Sequence, residues 1–185
     1  MRLVIFVACT KEGGMGYQNQ IPWHLPSDLR RFRDITTYTR KRTYRNAVIM
    51  GRKTWESIGE KPLKERINIV ISSSKPPSIT KDLWFAPSLK EAVFELEKEK
   101  HFDYKIETAF LIGGRQIYQE GIQYPNCDSI YLTEVKYEGE CDVFFPIEEL
   151  KNFYIIYQSQ WVCCENIEYR YLIYARKKSN NTYNE

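Results

Sequence analysis

Histidine is nearly absent from this chain, with only His24 and His101 among 185 residues. A histidine-based metal site is therefore not expected, and the five cysteines offer no substitute. Their number is odd, Cys163 and Cys164 are adjacent, and no C-x-x-C pair occurs, so neither a zinc site nor a disulfide framework is indicated. Long apolar runs are also missing. The opening "MRLVIFVACT" is too short for a membrane span and has no small-residue cleavage site, so it reads as a buried strand and not as a signal peptide. There is no basic block: 27 Lys and Arg stand against 24 Asp and Glu, a net charge of +3, and the cations are scattered. That argues against nucleic acid as a required partner. No Pro/Gly/Ser-rich linker and no internal repeat interrupts the chain. The expectation is a reduced, cytoplasmic, soluble protein with one domain over residues 1–178 and a polar, frayed tail at 179–185.

What is present is an alternation. "LVIFVAC", "AVIM", "INIVIS", "LWFA", "TAFLIGG" and "SIYLTEV" are short, β-rich and bounded by polar or glycine-containing turns. Between them, 26–38, 52–58, 88–99 and 115–122 suit helices, the third opening with Ser88 as N-cap and Glu91 at the capping-box position. Strands alternating with helices mean crossover connections and a largely parallel sheet, an α/β fold. The closing "NFYIIYQSQWVCCENIEYRYLIYARK" reads as two long strands joined by a tight turn near Glu165–Asn166, adding an antiparallel edge.

Ligands of such sheets bind at the carboxyl ends of the strands. "AVIM-GRKT-WESI" presents Arg52, Lys53 and Thr54 just after a buried strand. "INIVI-SSSK" ends in three hydroxyls and Lys75, and "TAFLI-GGRQIY" ends in Gly113-Gly114. Any one of these is an ordinary turn; three in one sheet suggest a phosphate-bearing cofactor. The usual nucleotide fingerprints are missing, because "GGMGYQ" lacks the third glycine of G-x-G-x-x-G and no G-x-x-x-x-G-K-[ST] occurs. Arg52, Ser73 and Lys75, with no acid ending a strand nearby, suit a 2′-phosphate and so NADPH over NADH.

One acid stands in an awkward place. In "IPWHLPSDLRRFRDITT", Leu25, Asp28, Leu29, Phe32 and Ile35 share a helical stripe, four apolar residues and one carboxylate. Aspartate is a favoured helix N-cap, which is the plainer reading. Pro26 and Ser27 already supply a helix start, however, and the apolar stripe suggests a shielded carboxylate. Arg66, likewise, is either an exposed arginine at a strand start or a ligand clamp.

In order and spacing, "VACTKEGGMGYQNQIPWHLPSDLRRF", "VIMGRKTWESI", "PLKERINIVIS", "FLIGGRQIY", "IYLTEV" and "CDVFFP" resemble dihydrofolate reductase from about Leu3 to Pro146, and "EYRYLIYAR" is similar to that family's final strand. The resemblance implies a central eight-stranded sheet, mostly parallel with an antiparallel C-terminal edge strand, flanked by four helices. It implies reduction of 7,8-dihydrofolate to tetrahydrofolate by NADPH, binding of folate-like inhibitors, and a monomer. It assigns the cofactor to Ala8, to the loop Gly14, Met15, Gly16, Tyr17, Gln18, Asn19, Gln20 and Ile21, and to Arg52, Lys53 and Thr54. Ser72, Ser73, Ser74 and Lys75 would join them, with Ile112, Gly113, Gly114, Arg115, Gln116, Ile117 and Tyr118.

The substrate's pterin ring would be held by Asp28 between Val7, Ala8, Phe32 and Ile112, with Tyr118 nearby. Leu29, Ile58 and Leu63 would line a slot for the aminobenzoyl ring, and Arg66 would clamp the α-carboxylate of the glutamate tail. Asp28, Thr133 and Trp23 would form the catalytic set, Thr133 bonded to Asp28 and Trp23 ordering a water beside it. The Gly113-Gly114 peptide would be cis.

Three positions depart from the family pattern: Glu65 replaces a common glycine before the clamping arginine, Phe6 a smaller aliphatic, and Gln116 an occasional cation. Two other functions would leave different marks. A reductase of a ribosylated pyrimidine, with a related fold, would lack "PWHLPSDL" and "PLKER". A silent binding module would be expected to lose Asp28, Trp23 or the paired glycines. A fused thymidylate synthase is not expected within 185 residues.

Overall fold

The alternation of apolar side chains along the strands sorts them onto two faces of one sheet. In β1 (Arg2–Cys9), Leu3, Ile5, Val7 and Cys9 join one buried cluster while Val4 and Phe6 join another. Period-two alternation with both sets apolar is the pattern of a strand covered on both faces. The computed structural model describes residues 1–74, 78–98 and 103–177. In chain order these form β1, β2 (Gly14–Gly16), α1 (Pro26–Thr37), β3 (Tyr44–Gly51), α2 (Arg52–Ser57), β4 (Ile67–Ile71), β5 (Ser78–Ile79), β6 (Leu83–Ala86) and α3 (Leu89–Glu97). There follow β7 (Lys105–Leu111), α4 (Arg115–Gly121), β8 (Cys127–Val135), β9 (Val143–Phe144), a short 3-10 turn (Ile147–Asn152), β10 (Phe153–Gln158), β11 (Val162–Cys164) and β12 (Ile167–Arg176).

Eight strands of four residues or more make the central sheet, in the order β10-β12-β8-β1-β7-β3-β4-β6, with the short β5 and β11 appended to β6 and β12. The six from β8 to β6 run parallel, and the C-terminal β12 lies antiparallel between β8 and β10. This is the mostly parallel α/β sheet that the alternation of strands and helices implied. The side chains of Phe32, Ile35 and Trp55 from α1 and α2 pack on the face carrying Val4, Val48, Met50 and Phe110. Those of Leu89, Val93, Leu96, Ile117 and Ile122 pack on the face carrying Ile5, Ile49 and Leu111, with Ser88 capping α3 through the Glu91 amide at 3.1 Å.

The expected C-terminal hairpin differs in one respect. Its turn is at Glu165–Asn166, both with positive φ (49° and 65°), as a tight two-residue hairpin turn requires. The first arm, though, is broken at 159–161 into β10 and β11, because β12 is paired by β11 near its start and by β10 over its second half. Lys75, the end of the expected third helix and the tail at 179–185 lie outside the described residues.

Candidate active site

The parallel pairing puts Ala8 beside Thr133 and carries β1, β3, β4 and β7 to a common carboxyl edge, where a cleft of about 970 Å³ opens. Asp28 is on its wall and is 9 % exposed. The side chain does not cap α1. The N-cap is Leu25, which makes no side-chain bond, and Pro26 follows where a missing N–H costs nothing. Asp28 Oδ1 instead accepts a bond from Thr133 Oγ1 at 2.7 Å. Burial pushes its pKa above the ordinary carboxylate range, against the opposing pulls of the Thr133 bond and the positive charge of Arg31. Ser27 is held by a 2.6 Å bond between its hydroxyl and that of Tyr169, which fixes the start of the helix against β12.

Val7, Ala8, Phe32, Ile112, Leu29, Ile58 and Leu63 line the same cleft. Leu29 is 52 % exposed, an apolar side chain turned to the opening and not to the core. Arg66 closes this end. It is only 6 % exposed, so it is no solvated strand-start arginine. Its Nε donates to Lys64 O at 2.9 Å, its Nη1 to Thr36 Oγ1 at 2.8 Å, and its guanidinium lies 5.7 Å from the Phe32 ring centre. Among the described residues no carboxylate pairs with it, and burial beside Arg33 pulls its pKa down.

The other end is made of turns. The Gly51 amide donates to Gly113 O at 2.7 Å, joining the ends of β3 and β7, and the Gly113-Gly114 peptide is cis. Gly113 has φ +117°, and a Cβ there would come 3.3 Å from the Tyr118 hydroxyl and 3.4 Å from Thr54 Oγ1. Arg52, Lys53, Thr54, Ser72, Ser73, Ser74, Arg115, Gln116, Ile117 and Tyr118 share this wall. Arg52 is paired with Glu56 one turn on. Tyr118 is buried, donates to Phe6 O at 2.9 Å, and has its phenol pushed up by burial.

Of the loop before α1, Met15, Gly16, Asn19, Gln20 and Ile21 reach the cleft. Gly14, Tyr17 and Gln18 do not line it. Gly14 is pressed against Cys141, where a Cβ would lie 2.7 Å from Sγ. The Gln18 amide donates to Asp142 at 2.9 Å, and Tyr17 pairs through its backbone with Gln20. Trp23 is buried beside the acid's helix, 5.4 Å from Tyr137 between ring centres, and is also off the cleft wall. Thr133 acts on the cleft only through Asp28.

A sequence model of the dihydrofolate reductase family matches residues 2–176. The chain belongs to that family. Among curated relatives, the bifunctional dihydrofolate reductase-thymidylate synthase 2 of Arabidopsis thaliana is 37% identical over 182 residues, covering 96% of this chain and 32% of that protein. The corresponding bifunctional protein of Paramecium tetraurelia is 34% identical over 174 residues, 94% of this chain and 34% of its own. The dihydrofolate reductase of Heliothis virescens is 33% identical over 165 residues, covering 86% and 87%. The chain thus spans about a third of the length of the bifunctional relatives and most of the single-function one.

Family motifs alone did not single out Arg33, Ser57, Ile71 or Val143, which also line the cleft. Ser57 could have been found, since it follows Thr54 by three residues on α2. Val143 could not, because only the pairing of β9 with β2 brings it there.

Proposed function

We propose that this chain reduces 7,8-dihydrofolate to 5,6,7,8-tetrahydrofolate with NADPH, supplying one-carbon and thymidylate metabolism. One observation carries the reading beyond family membership. Among the described residues on the cleft, the single carboxylate is Asp28, against five cations, Arg33, Arg52, Lys53, Arg66 and Arg115. Such a cleft favours anionic ligands and reserves one buried acceptor for a group rich in N–H donors.

The residues present fit NADPH. Gly113 leaves open backbone where a Cβ would crowd Thr54 and Tyr118. The hydroxyls of Ser73 and Ser74 and the Arg52 guanidinium suit a 2′-phosphate, and no acid on the wall opposes it. Lys75 is assigned to the same group from the sequence. When bound, NADPH supplies the hydride that C6 of the pterin receives. Asp28, as a carboxylate, accepts bonds from the pterin N3–H and 2-amino group and so orients the ring. Its negative charge, felt through the ring and a nearby water, favours the proton that N5 must gain. Thr133 fixes the carboxylate plane. Arg66, with spare donors beyond those given to Thr36 and Lys64, takes the α-carboxylate of the glutamate tail.

We take the chain to act as a monomer that needs neither nucleic acid nor membrane for activity, with the cleft-lining residues all from one chain. No helix among the described residues is long and apolar enough to cross a bilayer. All five cysteines are free, which supports the cytoplasm as its compartment. Loss of NADPH absorbance on adding dihydrofolate tests the whole reading. A folded protein that leaves NADPH unoxidised would overturn it.

A further inference from the structure

Arg31 follows Asp28 by three residues on α1, so the two side chains leave the helix on the same side. Its guanidinium rests among rings and not against an acid. The central carbon is 4.1 Å from the ring centre of Tyr171, 5.5 Å from Phe6 and 6.0 Å from Tyr131. Nη1 is closed to solvent and has no hydrogen-bond partner. No ion pair to Arg31 forms among the described residues. A cation so placed is costly unless something compensates for the lost water. Aromatic faces compensate in part. The rest falls to Asp28.

We propose that Arg31 is a positioning residue for Asp28, a partly buried counter-charge three residues along α1 whose guanidinium is held on the rings of Phe6, Tyr131 and Tyr171 and not on the carboxylate. The separation matters chemically. A direct Arg–Asp pair would occupy the acceptor sites that an N–H-rich ligand needs, whereas a charge acting through the interior favours the carboxylate and leaves them open. Asp28 accordingly accepts from Thr133 alone among the described side-chain bonds.

The influence is mutual: Arg31 pulls the carboxyl down and Asp28 pulls the guanidinium up, each against its own burial. The other titratable groups facing the pair are phenols, Tyr131 from β8, Tyr169 and Tyr171 from β12, and Tyr157 from β10. Burial pushes the phenol of Tyr171 up, well clear of where carboxylates titrate. Among the described residues, Arg31 is therefore the one charge set against the burial of Asp28.

The ionisation of Asp28 is a property of the ligand-free chain; only its catalytic consequence rests on the function proposed above. The test is an NMR titration of carboxyl-labelled aspartate in wild type, Arg31→Met, Arg31→Gln and Arg31→Lys, with Asp28→Asn assigning the resonance and thermal melting reporting the fold. In both neutral variants the Asp28 midpoint should rise by roughly one pH unit, the low end of the effect of a nearby opposite charge. Lysine should restore it. As pH is lowered, KM for dihydrofolate should climb earlier in Arg31→Met than in wild type. An unchanged midpoint in a folded neutral variant overturns the proposal and makes Arg31 a packing residue. Failure of wild type to oxidise NADPH would overturn the functional reading instead, and the titration would still decide this one.

Discussion

Thr133 Oγ1 donates to Asp28 Oδ1 at 2.7 Å across 105 residues of sequence, which ties the acid of α1 to β8 and not to its own helix start. Asp28→Asn keeps size and packing but removes the charge. A capping role would tolerate it, since the two residues rank alike as caps. Turnover at neutral pH should instead fall at least about 100-fold, the lower end of general acid–base effects, and recover as pH falls and solution supplies N5-protonated substrate. Wild-type turnover at neutral pH would sink the mechanism.

The same substitution should change stability with a definite pH dependence. Burial raises the folded pKa of Asp28 above its unfolded value, so the ionised acid disfavours folding. That cost is absent below the unfolded carboxylate pKa, grows as pH rises through the folded one, and is full above it. Asp28→Asn should therefore melt higher than wild type at neutral pH, with the gain vanishing towards pH 4, about where free aspartate titrates. Melting curves that run parallel across this range would show that Asp28 is not desolvated.

Arg66→Lys replaces a planar fork with a point charge while keeping the sign. A lost charge-assisted bond is worth roughly 1.5–3 kcal/mol, so KM for dihydrofolate should rise about 10- to 150-fold with turnover much less affected. A pterin substrate lacking the glutamate should respond little. Equal damage to both substrates would make the bonds of Arg66 to Thr36 and Lys64 its whole role.

Arg52 lines the cleft and is paired with Glu56. Arg52→Ala should weaken NADPH far more than NADH, which lacks the 2′-phosphate. Glu56→Gln should release the guanidinium and tighten NADPH, about 2- to 5-fold, since exposed pairs are worth up to about 1 kcal/mol. Parallel changes for both cofactors, by equilibrium fluorescence titration, would place Arg52 outside the phosphate site.

Glu65 adopts φ +66°, in the left-handed region, next to Arg66 and 3.9 Å from Arg33. Such a conformation costs a non-glycine residue about 1–2 kcal/mol, partly offset by the extra freedom glycine has when unfolded. Glu65→Gly should stabilise the fold by up to about 1 kcal/mol, a rise in Tm of roughly 2–4 °C. Removing the acid should also lower KM for dihydrofolate. A lower Tm would mean that the Glu65–Arg33 contact outweighs the strain.

Local chemistry carried much of this molecule into view. Two-sided apolar alternation in "LVIFVAC" marks a strand covered on both faces, and "GRKT" and "GGRQIY" mark strand ends whose turns can meet a ligand, because those signals depend only on neighbours in sequence. The residues that escaped depend on distant partners. Arg31 looks like any helix-surface cation until β1, β8 and β12 bring Phe6, Tyr131 and Tyr171 around it. The "NFYIIYQSQWVCC" arm reads as one strand, yet pairing along β12 divides it.

The sequence by itself determined the fold class, because periodicity and turn chemistry act over a few residues, and its motifs carried the resemblance to the family. Only the tertiary structure decided what each charge does. Whether Asp28 caps its helix or bonds across to β8, whether Arg66 is solvated or buried, and whether the Arg31 guanidinium meets water or aromatic rings all depend on the medium around them. That medium is assembled from strands far apart in the chain, and it governs both the cost of a charge and its reach.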